Sequence, residues 1–225
     1  MKPVLPKILL TLYAILFIAL AINPHNRATW LVENIPIFAI VLILALTYKK
    51  FQFSNTSYIM MSFLIALHTI GGHYTFALVP FDFVTNLFDF SRNHFDRIAH
   101  FTVGFYAYPI AEFLHRKDLT KSKWILFLFS IFAIVTVAAG YEIIEWIYAA
   151  LSDPAAGAAF LGSQGDIWDA QKDMLADTLG AIFATIFFFI KKSELKLNRI
   201  RILKFSKNKN KLTYTCPDKP KYNFN

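Results

Sequence analysis

The residues of this chain that could do chemistry are few, and they sit among long apolar runs. Asp96 and His100 are spaced i,i+4 and so share one face of a helix, with Arg97 beside them. Glu142 and Glu145 are i,i+3 neighbours. Asp166, Asp169, Asp173 and Asp177 follow at intervals of 3, 4 and 4, which gives one acidic stripe if the segment is helical. His73 comes directly after Gly71-Gly72. Carboxylates combined with imidazoles suit a divalent transition ion, whereas carboxylates alone would favour Mg or Ca. The ligand set read from these residues is His73, His100, Glu142, Asp173 and Asp177, and the cofactor it implies is a divalent metal ion. His100, Glu142, Asp173 and Asp177 are the candidate catalytic groups. Asp96, Arg97, Glu145 and Asp169 are the candidate substrate-binding groups, with Arg97 as the natural anion clamp.

Plainer readings compete for other polar residues. His68 stands alone in an apolar stretch and reads as a hydrogen-bonded packing residue. Glu112 and Arg116 are i,i+4 partners. Asp153 and Asp166 are equally well read as solvated loop residues. Ser163, in Gly162-Ser163-Gln164-Gly165, has no neighbouring base in sequence and is a poor nucleophile candidate. No His-Glu-x-x-His zinc-protease motif, Gly-x-Ser-x-Gly elbow or phosphate-binding P-loop occurs.

The elements that must position these groups follow from composition. The chain has 225 residues, 56% hydrophobic and 17% charged, against roughly 45–50% and about 25% for a soluble domain. Lipid rather than water is the solvent this implies. Six stretches approach the ~20 apolar residues that cross a bilayer: Val4–Ile22, Ile35–Tyr48, Tyr58–Leu78, Ile98–Leu114, Trp124–Tyr148 and Met174–Ile190. The second is short unless Leu31–Asn34 joins it, and Pro109 should kink the fourth. The first lacks a small-x-small cleavage site and reads as a retained span. Trp124, Trp146, Tyr148 and Trp168 sit near span ends, as interfacial anchors do.

Loop charges give an independent check. Lys2 and Lys7, Lys49 and Lys50, then Arg116, Lys117, Lys121 and Lys123, and finally the tail fall on one side of a six-span arrangement. Both termini are then cytoplasmic by the positive-inside rule. The fold class is thus an all-α polytopic integral membrane protein of about six transmembrane helices. Residues 1–190 form the six-helix transmembrane domain, and 191–225 a basic cytoplasmic tail, partly disordered beyond Ser206. That tail holds 11 Lys/Arg against Glu194 and Asp218, so its charge of +9 accounts for the chain's net +8, the remainder being −1. Basic residues beside a span face anionic lipid, so membrane lipid and not nucleic acid is the expected partner. Cys216, the lone cysteine, permits no internal disulfide. Nothing in the sequence speaks to oligomeric state.

Depth brings the polar groups together. Asp177 lies about two turns below Trp168, roughly 9–13 Å, and His73, His100 and Glu142 come out at a similar level. An ionised group at the bilayer centre costs about 2.5–3.5 kcal/mol on insertion scales. Turning these side chains inward, around one wet pocket on the outer side, is the cheaper arrangement.

The motifs Gly71-Gly72-His73-Tyr74, Arg92-Asn93-His94-Phe95-Asp96-Arg97-Ile98-Ala99-His100-Phe101, Glu142-Ile143-Ile144-Glu145-Trp146 and Gln164-Gly165-Asp166-Ile167-Trp168-Asp169-Ala170-Gln171-Lys172-Asp173-Met174, with Asp177 and Gly180, resemble the YjdF family of bacterial inner-membrane proteins. The likeness runs over roughly residues 8–190. A more distant pattern is similar to VanZ-like proteins: Asp96 and His100 opening one span, Glu142 or Glu145 ending the next, then Asp173, Asp177 and Gly180 in the last. Glu145 and Asp177 stand where that pattern tends to have Gln and Asn, so the local charge here is more negative. The resemblance implies a cell-envelope role touching lipid-linked wall precursors or glycopeptide-type antibiotics, and supplies no reaction.

Three functions fit. The first is an outward-facing acidic/His pocket that binds or acts on an amphiphilic, lipid-linked envelope substrate with help from a metal. The second is a proton- or cation-coupled transporter, which should carry polar residues on to the cytoplasmic side; only His68 and Glu112 do so. The third is a non-catalytic envelope or lipid-binding factor.

Overall fold

The computed structural model describes residues 4–213, without the side chains of 155, 156, 159 and 193–213. Every regular element among them is helical: α1 (Leu5–Ala21), α2 (Arg27–Thr47), α3 (Asn55–Tyr74), α4 (Asp82–Leu87), α5 (Phe95–Val103), a 3₁₀ turn (Gly104–Tyr106), α6 (Ala107–Arg116), α7 (Lys123–Leu151), α8 (Pro154–Leu161) and α9 (Asp169–Thr213). Three helices are long and apolar enough to cross a membrane: Arg27–Thr47, Lys123–Leu151 and Asp169–Lys192. The chain divides into a compact unit over Met1–Ile186 and a second over Phe187–Asn225. The second unit continues as helix to Thr213, past Ser206, and residues 214–225 lie outside the described part.

Local chemistry explains where the helices differ from the apolar runs. α2 begins at Arg27, eight residues before Ile35, because the Asn26 side chain caps it by accepting from the Thr29 amide at 3.0 Å. Leu31–Asn34 therefore belongs to the helix, and Glu33 lies on its buried face. α3 starts three residues earlier than the run, where Ser54 accepts from the Ser57 amide, and stops at Tyr74. Thr75 and Phe76 both take left-handed φ values there, 56° and 51°. The fourth span is broken as Pro109 requires. Pro109 has no N–H for the carbonyl of Phe105, and the chain tightens into 3₁₀ geometry at Gly104–Tyr106.

Within the first unit α3 is the central post, packing against α1, α2, α5, the 3₁₀ turn and α6, while α7 packs on α6 and α8. None of the residues of α1 is buried, and Leu12, Ile15 and Ile18 stand exposed, as expected where lipid is the solvent. The contact that matters most for the site is a glycine crossing. A Cβ on Gly180 of α9 would lie 2.0 Å from the Phe101 carbonyl oxygen, and one on Gly104 would lie 2.3 Å from the Ala181 nitrogen. Small residues let the two backbones touch, as at close helix crossings in membranes. His100 is thereby brought against the acidic face of α9.

Candidate functional site

The acidic stripe begins as a loop and becomes a helix. Asp166 precedes α9, accepting from the Trp168 amide at 3.1 Å and from Lys172 Nζ at 2.6 Å. Asp169, Asp173 and Asp177 lie on α9, and their exposure falls from 8% to 3% to 1%, so the stripe runs progressively inward. His100, on α5, meets it. Its Nδ1 is 3.3 Å from Asp177 Oδ1, and its Nε2 is 3.6 Å from Asp96 Oδ1 and 3.7 Å from Asp173 Oδ1. Nδ1 thus lies against Asp177, while Nε2 faces Asp96 and Asp173. Ligand atoms of Asp96, His100 and Asp173 all lie within 4.8 Å of one another, a geometry that can hold a metal ion.

The remaining predicted ligands take other places. Asp177 stands behind the imidazole and orients it, as outer carboxylates do around metal-bound histidines. Glu142, on α7, feels the charges of His100, Asp173, Asp177 and Asp96, and its Oε1 is buried without a hydrogen-bond partner among the described residues. His73 is not part of the cluster. Its Nδ1 bonds to the Leu20 carbonyl at 2.7 Å, and its own carbonyl accepts from the His25 amide at 2.9 Å. The reason is helical phase: five residues separate His68 from His73, so the two point roughly 140° apart around α3.

His68 is the histidine that faces the site. It lines a cavity of about 120 Å³ together with Glu33, Asp96, His100, Tyr141, Glu145 and Asp177. Its Nε2 is 3.2 Å from Glu33 Oε2 and 3.0 Å from the Glu33 carbonyl, while Tyr141 donates to Glu33 Oε2 at 3.2 Å. Glu33 precedes the apolar run that starts at Ile35, so composition alone does not place it in a span. The signal that finds it is Asn26, a good helix N-cap ahead of the Trp30-Leu31-Val32 run. The rest of the cavity wall is largely apolar, with Pro36, Ile40, Leu64, Val103 and Val137.

Arg97 also departs from expectation. Its guanidinium is in ion contact with Asp169 through Nη2 and with Asp173 through Nη1, the latter without hydrogen-bond alignment. Both of its terminal nitrogens thus face carboxylates, and Arg97 is a strut between α5 and α9 rather than a free anion clamp. Arg92 lies alongside, with Nη1 2.7 Å from Asp169 Oδ1, 3.1 Å from the Ser163 carbonyl and 3.4 Å from Asp166 Oδ2. The loops carrying Arg92 and Asp166 are tied by a reciprocal amide pair. The Asn93 amide donates to Gln164 Oε1 at 3.0 Å, and Gln164 Nε2 donates back to the Asn93 carbonyl at 2.9 Å. Asn93 Nδ2 further holds the Ala77 and Val79 carbonyls, at 3.1 and 2.8 Å. Outside the apolar spans, Asp166 is held below the ordinary carboxylate range, chiefly by its bond to Lys172. His94 is held below the ordinary imidazole value by burial and by the positive charges of Arg92, Arg97 and Lys172.

Apolar helices carrying a buried carboxylate–imidazole cluster define a class of helical membrane protein with a polar site inside its bundle. Over residues 5–194 the chain matches the family described as "Predicted membrane protein (DUF2238)". It is 33% identical over 190 residues to the inner membrane protein YjdF of Escherichia coli (strain K12), an alignment covering 83% of this chain and 90% of that protein. The chain belongs to this family and is an inner-membrane protein. No solved structure matches it.

Proposed function

We propose that this protein binds or acts on an amphiphilic, lipid-linked cell-envelope substrate, at a divalent-cation site formed by Asp96, His100 and Asp173 on the outer side of the membrane. The observation that carries the reading is the convergence of those three side chains, from α5 and α9, to within 4.8 Å. Asp177 behind His100, and Glu142 and Glu145 on α7, complete the anionic surroundings. A bound divalent ion would supply Lewis acidity for a water or a phosphoryl oxygen. Metal analysis of purified protein and of Asp173→Asn tests it. About one divalent ion per chain is expected in the wild type and a clear loss in the variant. No bound ion in either sample removes the cation site.

The wider architecture is part of the same proposal: six spans, with α3 and the interrupted α5–α6 joining the apolar helices, and both termini cytoplasmic. Residues 1–190 then form the membrane domain and 191–225 the basic tail. Lys/Arg-rich connections alternating with acidic ones support this. Single-cysteine labelling should mark position 50 and the tail from the cytoplasmic side only, and position 92 from the outside only.

The transport reading gains one observation, since Glu33, His68 and Tyr141 extend the titratable groups across the cavity from His100. The largely apolar remainder of the wall weighs against it, because a proton or cation path needs polar steps beyond those groups. Uptake by proteoliposomes under a pH gradient would revive it. Alanine variants of Glu142 and Asp177 that fold and function normally would favour the non-catalytic factor.

A further inference from the structure

Arg92 carries a guanidinium of which only one nitrogen is used. Nη1 serves Asp169, Asp166 and the Ser163 carbonyl, while Nε and Nη2 are buried and make no hydrogen bond among the described residues. The side chain is only 10% exposed, so bulk water does not solvate those donors freely. Buried N–H groups left unpaired are destabilising, the more so when charged, and native structures rarely keep them without a reason. Nε–H and Nη2–H lie on the same edge of the planar group, the fork that takes two oxygens of one oxyanion.

We infer that Arg92 is an oxyanion subsite, its Nε/Nη2 edge receiving two oxygens of a phosphate group while its Nη1 is anchored to α9. The inference names the anionic group of the amphiphile proposed above, and rests on that reading only for the group's lipid origin. Three features fit it. Arg97 cannot fill the role, because both of its terminal nitrogens face carboxylates. The acids beside Arg92 do not face an anion unscreened, because Asp166 is also paired with Lys172 and Asp169 with Arg97. The loop is also rigidly placed, by the Asn93–Gln164 amide pair and by Asn93 on the Ala77 and Val79 carbonyls. A preset donor pair loses little freedom when it binds.

The test uses the full chain purified in a maltoside detergent, which carries no phosphate, with chelator present so that the cation site plays no part. One arm titrates inorganic phosphate, and the other titrates dihexanoyl phosphatidylglycerol against dihexanoylglycerol, which lacks the phosphate. Saturable binding in either arm, weakened at least tenfold in Arg92→Lys, supports the subsite, and the arm that responds identifies free phosphate or a lipid headgroup as the source. Lysine keeps the charge but loses the fork. Equal affinity in Arg92→Lys, or no saturable binding in both arms, overturns it. Should Arg92→Lys fail to fold, phenylglyoxal labelling of the wild type replaces it. Both ligands are then tried for protection of Arg92 relative to exposed Arg27, and an unchanged ratio with both overturns the inference. No divalent ion in the metal analysis of the protein purified without chelator, with phosphate binding intact here, would defeat the cation site alone.

Discussion

A single buried carboxylate and a cluster of them sit near opposite ends of α3, and they are built on opposite principles. At its start, Glu112 accepts from the Ser54 amide at 2.9 Å, from Ser54 Oγ at 2.8 Å, from Ser57 Oγ, and from Arg116 Nη1 at 2.6 Å. One carboxylate has four donors, so its charge is fully answered from within and it fastens α6 to the N-terminus of α3. Near the other end, Glu33, Asp96, Glu142, Glu145, Asp173 and Asp177 gather around His68, His100 and Arg97. There acceptors outnumber donors. A carboxylate with a surplus of donors is a structural fastening, whereas crowded carboxylates short of donors need a proton or a cation from outside.

Perturbing the frame, the fastening and the crowd should give effects of decreasing size. The largest belongs to the glycine crossing that presents His100 to α9. Gly180→Val forces the Phe101 carbonyl away and should cost on the order of 3 kcal/mol or more, read as loss of monodisperse protein and a lowered thermal midpoint. Next is Glu112→Ala, which strands the Ser54 and Ser57 donors and should cost about 2–3 kcal/mol in thermal unfolding while cation binding is kept. If Glu112→Ala abolished cation binding in folded protein, the division between fastening and site would fail.

Asp96→Asn should do the reverse. Removing one charge from the crowded cluster leaves stability within about 1 kcal/mol of wild type and weakens divalent binding at least tenfold, by calorimetry. A large loss of stability would make Asp96 a structural group like Glu112. The smallest effect is expected of Asp166. Its carboxyl is depressed by Lys172, so the stabilisation is fully present above the unfolded carboxylate value of about 3.9 and is lost as pH falls through the lower folded value. The thermal midpoint of Asp166→Asn should therefore converge on that of wild type only at the acid end of a scan from pH 5 to 3.

Much of the site was readable from spacing. Asp96 with His100, and Asp169 with Asp173 and Asp177, share a face by helical geometry alone, whatever the neighbours are. His73 and Glu33 show where this ends. Gly71-Gly72-His73 stands out as a motif, yet nothing local states which way a residue faces once α3 packs on α1 and α2 together. Glu33 falls outside the apolar run that starts at Ile35, because apolar content marks where a span can lie in lipid, not where its helix begins. Arg97 and Arg92 could not be ranked either, because which guanidinium is consumed by carboxylates depends on how two loops distant in sequence are tied.

From the amino-acid order alone came an all-helical membrane chain, most helix positions, and the pairing of acids and imidazoles along single helices. Those properties depend on hydrophobicity, backbone period and capping, all local in sequence. Contacts between helices selected His68 over His73, brought Glu33 inward, made Arg97 a strut and left an edge of Arg92 unpaired among the described residues. Such choices are fixed by backbone approach at Gly104 and Gly180 and by amide pairing between loops some 70 residues apart, distances over which no local pattern carries information.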